Sequence, residues 1–113
     1  MTTTTSSGLR LGIIALTVAT AAIHLHLGLS SGLPLFVLNG LGYLALLAAL
    51  YGPIPQLAPY RKIVRWLLVG FAALTIGLWL VITGGNSTVV GYTDKVVELL
   101  LIILLVAEGR PSG

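Results

Sequence analysis

Apolar residues along the chain fall into four long runs, separated by short stretches rich in glycine, proline, serine and threonine. The runs cover residues 11–29, 33–51, 63–83 and 89–107. Each has about the 17–25 residues that an α-helix needs to cross the hydrocarbon core of a bilayer. The pattern therefore predicts four transmembrane helices.

The connections between the runs are short and rich in helix-breaking residues. Residues 30–32 and 83–88 are turn segments, and residues 52–59 form a proline-laced loop that cannot continue a helix. Helices joined by such short connections run antiparallel to their neighbours. We predict an all-α fold, a polytopic integral membrane protein with one domain over residues 1–113, built as an up-down bundle of four transmembrane helices. The low-complexity start, residues 1–8, is expected to be mobile.

Composition supports a membrane protein and excludes several other classes. Of the 113 residues, 57% are hydrophobic and only 8% are charged, and the mean hydropathy is +1.05. A soluble domain has about a quarter charged residues. The chain has no cysteine, which excludes disulfides, thiolate nucleophiles and zinc–sulfur sites. The net charge of +3 could indicate nucleic-acid binding, but the cations cluster beside apolar runs, so no nucleic-acid partner is expected.

The positive residues predict the orientation in the membrane. With four spans, five of them lie on one side: Arg10, Arg61, Lys62, Arg65 and Arg110. The two connections on the other side carry no charge. By the positive-inside rule, both termini and the proline-rich loop are cytoplasmic, and the protein is expected in the plasma membrane. The basic trio of residues 61, 62 and 65 is also a candidate site for an anionic lipid headgroup.

The first run also admits a different interpretation. Arg10, the apolar residues 11–18 and the Ala-Thr-Ala of residues 19–21 imitate a signal peptide with its cleavage site. The apolar stretch continues to residue 29, however, which favours a membrane-spanning helix.

The strongly polar residues within the runs fall at one depth. At about 1.5 Å of rise per residue, five of them lie in the outer half of the bilayer: His24, Asn39, Asp94, Lys95 and Glu98. Tyr43 follows Asn39 by four residues and so shares its helix face. Residues three and four apart share a helix face, so Asp94 and Lys95 both lie beside Glu98. We predict that the six side chains meet as one intramembrane polar cluster.

The charges of the fourth run require partners. An Asp or Lys at the centre of a span costs about 2.5–3.5 kcal/mol, whereas a Leu or Ile contributes about −0.3 to −0.6 kcal/mol. Lys95 can neutralise only one carboxylate, so either a protonated His24 or a proton held on a carboxyl must compensate the other. We expect the charges to pair with one another, with His24 and with Asn39. Two interpretations stay open, an internal ion-pair network that is purely structural and a ligand-binding site.

The two histidines do not form a ligand pair. His24 and His26 are two residues apart, so their side chains diverge by about 200° on a helix. Only one histidine could ligate a haem within one chain, either His24 or His26, and ligation by two would require a dimer. The alternative to haem ligation is that both histidines only pack against neighbouring side chains. No metal site and no cofactor are predicted, and haem or a quinone stay as alternatives.

Motifs of catalysis are lacking in the sequence. No nucleophile is paired with a base, and no Glu-x-x-His metal helix occurs. The glycine-rich residues 38–43 follow no strand, so they do not indicate a nucleotide-binding loop. We predict that the protein is not an enzyme.

Three functions are compatible with these features. The first is an accessory or structural subunit of a larger membrane complex. The second is a small dimeric transporter coupled to ions or protons, similar in length and span count to small multidrug-resistance exporters, although their glutamate in the first span has no counterpart here. The third is a membrane binding module for haem, quinone or lipid.

Three short motifs resemble a known pattern. They are AIHLHLG at residues 22–28, LNGLGY at residues 38–43, and GYTDK at residues 91–95 followed by VVELLLIILLV. Together they resemble small uncharacterised four-helix membrane proteins of archaea and some bacteria. The resemblance implies the topology and no activity.

Overall fold

Residues 3–110 fold into four α-helices and one short 3₁₀ helix. A computed structural model describes the backbone of residues 3–110 and the side chains of residues 8–110. The helices are α1 (Thr3–Ser31), α2 (Pro34–Tyr51), α3 (Arg61–Thr83) and α4 (Val89–Gly109), and the 3₁₀ helix (Pro55–Tyr60) precedes α3. No strand occurs within residues 3–110. Residues 3–8, predicted as part of a mobile segment, belong to α1, and residues 1–2 lie outside the described part.

Local sequence explains where the helices begin and end. Pro34 is the first residue of α2, where its missing N–H costs no helical hydrogen bond. The C-cap of α3 is Gly84, whose φ of 64° is a left-handed conformation that suits glycine. Thr88 caps α4, because its hydroxyl accepts a hydrogen bond from the backbone N–H of Gly91 at 3.2 Å. The helices therefore begin and end at the proline, glycine and threonine residues of the connecting segments.

Side-chain contacts show that consecutive helices run in opposite directions. α1 packs on α2 and α4, and α3 packs on the same two helices. The last third of α1 meets the first third of α4 where His24 lies 3.5 Å from Asp94. The beginning of α3 meets the end of α4 where Arg65 lies 3.1 Å from Glu108, and the end of α2 reaches the same carboxylate through Tyr51. α4 therefore runs antiparallel to α1 and α3 and parallel to α2, so the direction alternates from one helix to the next.

The core lies along the axis between the helices. Tyr43 packs edge-on against Phe71 with a centroid distance of 4.8 Å. Close packing of α1 and α2 depends on Gly40, because an added Cβ would lie 2.9 Å from the carbonyl oxygen of Ala21. The buried apolar residues are Ile13, Ala21, Tyr43, Leu50, Val64, Leu68, Ala72, Leu101 and Leu105.

Three of the helical segments have the length and composition for crossing a membrane. They are Gly8–Ser31, Pro34–Tyr51 and Pro55–Thr83. α4 is not among them, because Asp94, Lys95 and Glu98 place three charges in its first half. The all-helical fold, with three helices long and apolar enough to cross a membrane, is thus observed, and the crossing of a membrane by all four helices stays a prediction.

Candidate ligand-binding site

The first half of α4 carries two buried carboxylates and one buried ammonium group. Asp94, Lys95 and Glu98 are 3%, 8% and 0% exposed. Nζ of Lys95 lies 2.5 Å from Oε1 of Glu98 and 3.2 Å from Oδ2 of Asp94. The spacing of three and four residues brings these groups onto one face of the helix, as the sequence predicted. The two carboxylates therefore share one ammonium group.

Hydroxyl groups from α1 and α2 bond the same carboxylates. The Tyr43 hydroxyl donates a hydrogen bond of 2.7 Å to Oε2 of Glu98. The Thr20 hydroxyl lies 2.6 Å from Oδ1 of Asp94 and 3.2 Å from Oε2 of Glu98, so its single proton serves one or the other. A buried carboxylate is costly without such donors. Thr20 was not among the predicted cluster residues, although its spacing of four from His24 places it on the same helix face.

His24 extends the cluster from α1. Its Nδ1 lies 2.8 Å from the carbonyl oxygen of Thr20, and a carbonyl only accepts, so Nδ1 carries a proton. Nε2 then faces the carboxylates, at 3.5 Å from Oδ2 of Asp94 and 4.0 Å from Oε2 of Glu98. His26 lies on the exposed side of α1, so the two histidines diverge in the structure.

Asn39 belongs to a neighbouring polar pair and does not bond the charged groups. Its Nδ2 donates to Oγ1 of Thr75 at 2.9 Å, and the Thr75 hydroxyl donates to the carbonyl of Phe71 at 2.8 Å. The sequence had suggested a bond from Asn39 to the charges, but the side chain reaches α3 instead. The Asn39 Oδ1 atom is buried and has no partner among the described residues. One acceptor therefore remains free beside the cluster.

A cavity of about 460 Å³ opens next to this cluster. Its volume lies in the range of about 300–1,000 Å³ that small-molecule sites occupy. The polar lining includes His24, Asn39, Thr75, Asp94 and Lys95. The apolar lining consists mainly of Leu27, Leu35, Phe36, Leu38, Phe71, Leu74, Leu78, Trp79 and Ile82. The cavity therefore has a charged floor and apolar walls.

Aromatic rings stand where the apolar walls meet the charged floor. Phe36 lies edge-on to His24 with a centroid distance of 5.7 Å. Nζ of Lys95 lies 5.7 Å from the ring centre of Trp79, within the range of a cation–π contact. Trp79 also packs edge-on against Tyr92 at 5.5 Å. The rings thus offer flat apolar surface directly beside the charges.

The donor set is partly taken by a cation of the protein itself. One ligand-type atom each from His24, Asp94 and Glu98 lie within 4.8 Å of one another, a spacing that metal ligands have. The ammonium of Lys95, however, already lies between the two carboxylates and supplies one positive charge there. Nε2 of His24 faces those carboxylates, so it is not free to ligate a haem iron. The cluster is better described as an ion-pair network with a covalently attached cation.

A second polar cluster occupies the opposite end of the helices. Oε1 of Glu108 accepts a 2.6 Å hydrogen bond from the Tyr51 hydroxyl and lies 3.1 Å from Nη2 of Arg65. The guanidinium of Arg10 lies 5.0 Å above the ring of Tyr51. No sequence argument pointed to Glu108, because the approach of four helix ends depends on their packing.

This second cluster changes the interpretation of the basic trio. Arg65, a predicted lipid-headgroup residue, is bound to Glu108 inside the protein. Arg61 and Lys62 remain exposed at the beginning of α3. Lipid-headgroup binding by these two residues stays a prediction.

Comparisons with known proteins add no functional assignment. No protein-family model, no curated protein sequence and no solved structure matches the chain. The resemblance to small four-helix membrane proteins of archaea and bacteria stays a prediction. The function must therefore be inferred from the geometry of the chain itself.

Proposed function

We propose that all four helices cross the plasma membrane as one multi-pass bundle. The support comes from the two faces of α4. Its charges point into the protein, whereas Val96, Leu99, Leu100 and Ile103 are about half exposed. An apolar outer face and a paired polar inner face remove the main cost of placing α4 in lipid.

The proposed orientation places both termini and the 3₁₀ helix in the cytoplasm. Arg61 and Lys62 lie at the end of the molecule that also holds Arg10 and Arg65, and both are exposed. The turn between α3 and α4 carries no charge. This asymmetry is what the positive-inside rule describes.

Within this bundle we propose a binding site for a small amphiphilic molecule. The observation that carries this proposal is the cavity with apolar walls and a charged floor. Exposed Leu35, Leu74 and Leu78 form its rim on α2 and α3, so in a membrane the rim contacts acyl chains. A ligand would enter from the lipid with its polar end towards the cluster.

The test is native mass spectrometry of protein extracted with a mild detergent, followed by solvent extraction of any bound molecule. Leu78→Trp should fill the cavity without touching the charges, and Leu67→Trp is a matched control because Leu67 is an exposed α3 residue outside the lining. We expect the wild type and Leu67→Trp to retain a small amphiphile that Leu78→Trp loses. Equal retention by both variants, or none by the wild type, would contradict the proposal.

The same extraction separates the other functional hypotheses. Co-purification with larger proteins would support an accessory or structural subunit, and a dimer would be compatible with a small transporter. A Soret band would indicate haem. Among the described residues, no contact favours these hypotheses over a binding site, and they stay predictions.

A further inference from the structure

We infer that the cavity binds a lipophilic molecule with one positive charge. The inference rests on the proposed binding function and names the class of ligand. It follows from the charge balance of the cluster and the aromatic lining of the cavity.

The buried cluster lacks one positive charge. Asp94 and Glu98 contribute two negative charges, and Lys95 contributes one positive charge, 3.2 Å and 2.5 Å from them. With both carboxyl groups ionised and His24 neutral, the formal charges of the cluster sum to minus one. An uncompensated charge is expensive in a low-dielectric interior. One further positive charge therefore completes the site.

Among residues 8–110, no other lysine or arginine side chain supplies this charge. Arg65 is bound to Glu108 at the opposite end. Arg10 lies fourteen residues before His24 on α1, about 21 Å away along the helix. α2 offers the cluster only the neutral hydroxyl of Tyr43.

α3 does not supply the charge either. The polar groups that α3 presents towards the cavity floor are Thr75 and the indole of Trp79, which are both neutral. Nδ1 of His24 donates to the carbonyl of Thr20, and Nε2 faces the two carboxylates at 3.5 Å and 4.0 Å. The site therefore has room for one more cation opposite these carboxylates.

A cationic ligand could supply the missing charge at Asp94. Glu98 is fully buried, outside the cavity lining, and already bonded to Lys95 and Tyr43. Asp94 lines the cavity together with His24, and its Oδ2 has only longer contacts, 3.2 Å to Lys95 and 3.5 Å to His24. Asp94 is therefore the carboxylate left to pair with a charge in the cavity.

The walls suit a cation with an apolar body. Phe36, Phe71 and Trp79 line the cavity, and aromatic faces attract cations that have lost their water shell. Trp79 already makes such a contact with Lys95. The free carbonyl oxygen of Asn39 adds a negative dipole end beside the floor. Aromatic surface, one spare negative charge and a lateral apolar rim together match a lipophilic monocation.

The experiment measures tetraphenylphosphonium binding to the full-length protein in nanodiscs. Neutral triphenylphosphine oxide is the uncharged control probe. Asp94→Asn removes the charge that faces the cavity, and Glu108→Gln removes a carboxylate at the opposite end as the matched variant. Leu78→Trp reports whether either probe occupies the cavity.

We expect the cation to bind, and to bind at least about tenfold more weakly to Asp94→Asn. Glu108→Gln should bind like the wild type. If Asp94→Asn does not fold, the comparison of the two probes on the wild type decides alone, and equal affinity for the cation and for the neutral probe would overturn the inference. If the neutral probe binds in the cavity and the cation does not, the charge of the ligand is wrong but the proposed binding function stands. If Leu78→Trp weakens the binding of neither probe, both the inference and the proposed function are overturned.

Discussion

Nζ of Lys95 lies 2.5 Å from Oε1 of Glu98, one helical turn further along α4, and both residues are buried. This ion pair lies at the centre of the polar cluster, because the Tyr43 hydroxyl from α2 donates a hydrogen bond to the same Glu98 carboxylate. Three helices thus meet at one buried carboxylate: α4 through Lys95, α2 through Tyr43 and α1 through Thr20. The stability of the fold should depend strongly on how these charges are balanced.

Replacing the ammonium group should destabilise the protein severely. Lys95→Met leaves Asp94 and Glu98 close together without their shared cation, and breaking a buried ion pair on one side costs about 3–5 kcal/mol. We expect a marked drop in the midpoint of thermal unfolding, measured by circular dichroism in one detergent.

The matched control removes both partners of the pair. Adding Glu98→Gln to Lys95→Met restores the charge balance, so it should recover most of the lost stability. If Lys95→Met unfolds at the wild-type temperature, or if the second change makes it worse, the cluster is not held together by this pair.

Two tyrosine hydroxyls bond a glutamate, one at each end of the molecule, and they should differ in importance. The Tyr43 hydroxyl bonds the fully buried Glu98, whereas Tyr51 bonds Glu108, which is partly exposed and also held by Arg65. A hydrogen bond to a buried charged group is worth about 1.5–3 kcal/mol. Tyr43→Phe should therefore destabilise the protein by about that amount and Tyr51→Phe by less. Equal effects in parallel melting curves would show that burial does not distinguish the two ends.

The sequence predicted much of the outer cluster because helical spacing carries the information. Asp94, Lys95 and Glu98 share a face at any rotation of α4, and depth along the helices placed His24 and Tyr43 at the same level. The partner of Asn39 could not be predicted, because it depends on how α2 and α3 are rotated relative to each other. The cavity was missed for the same reason: it arises from the separation of two helices, which no spacing rule encodes.

Glycines illustrate the same limit. In the structure Gly40 lies against α1, where an added Cβ would meet the Ala21 carbonyl oxygen at 2.9 Å, whereas Gly77 has open space. Gly40→Ala should thus destabilise the protein by about 1–3 kcal/mol through overpacking. Gly77→Ala, within α3, should be neutral or stabilise by up to about 1 kcal/mol through helix propensity. Thermal unfolding of the two variants side by side is the measurement, and the reverse order would contradict the packing of α1 on α2.

The proposed topology can be tested with cysteines, since the chain has none of its own. Gln56 lies exposed in the 3₁₀ helix, and Asn86 lies exposed in the turn between α3 and α4. In intact cells, a membrane-impermeant maleimide should label Asn86→Cys, and it should label Gln56→Cys only after lysis. The opposite pattern would show that the orientation is inverted. Labelling of both variants in intact cells would contradict the proposed topology.

The proposed function requires that the cavity binds a ligand, and two tryptophans on α3 report on this binding directly. Trp79 lines the cavity, whereas Trp66 is about half exposed near the other end of the helix. Trp66→Phe and Trp79→Phe therefore give proteins with one reporter each, inside and outside the site.

The most direct measurement is the fluorescence quenching of these two proteins in nanodiscs by a brominated alkyltrimethylammonium and by its neutral alcohol analogue. We predict that at least one of the amphiphiles quenches Trp79 saturably at low concentration, whereas Trp66 responds only gradually, as a residue in contact with lipid should. If both tryptophans respond alike and without saturation, the cavity holds no ligand and the proposed function is contradicted.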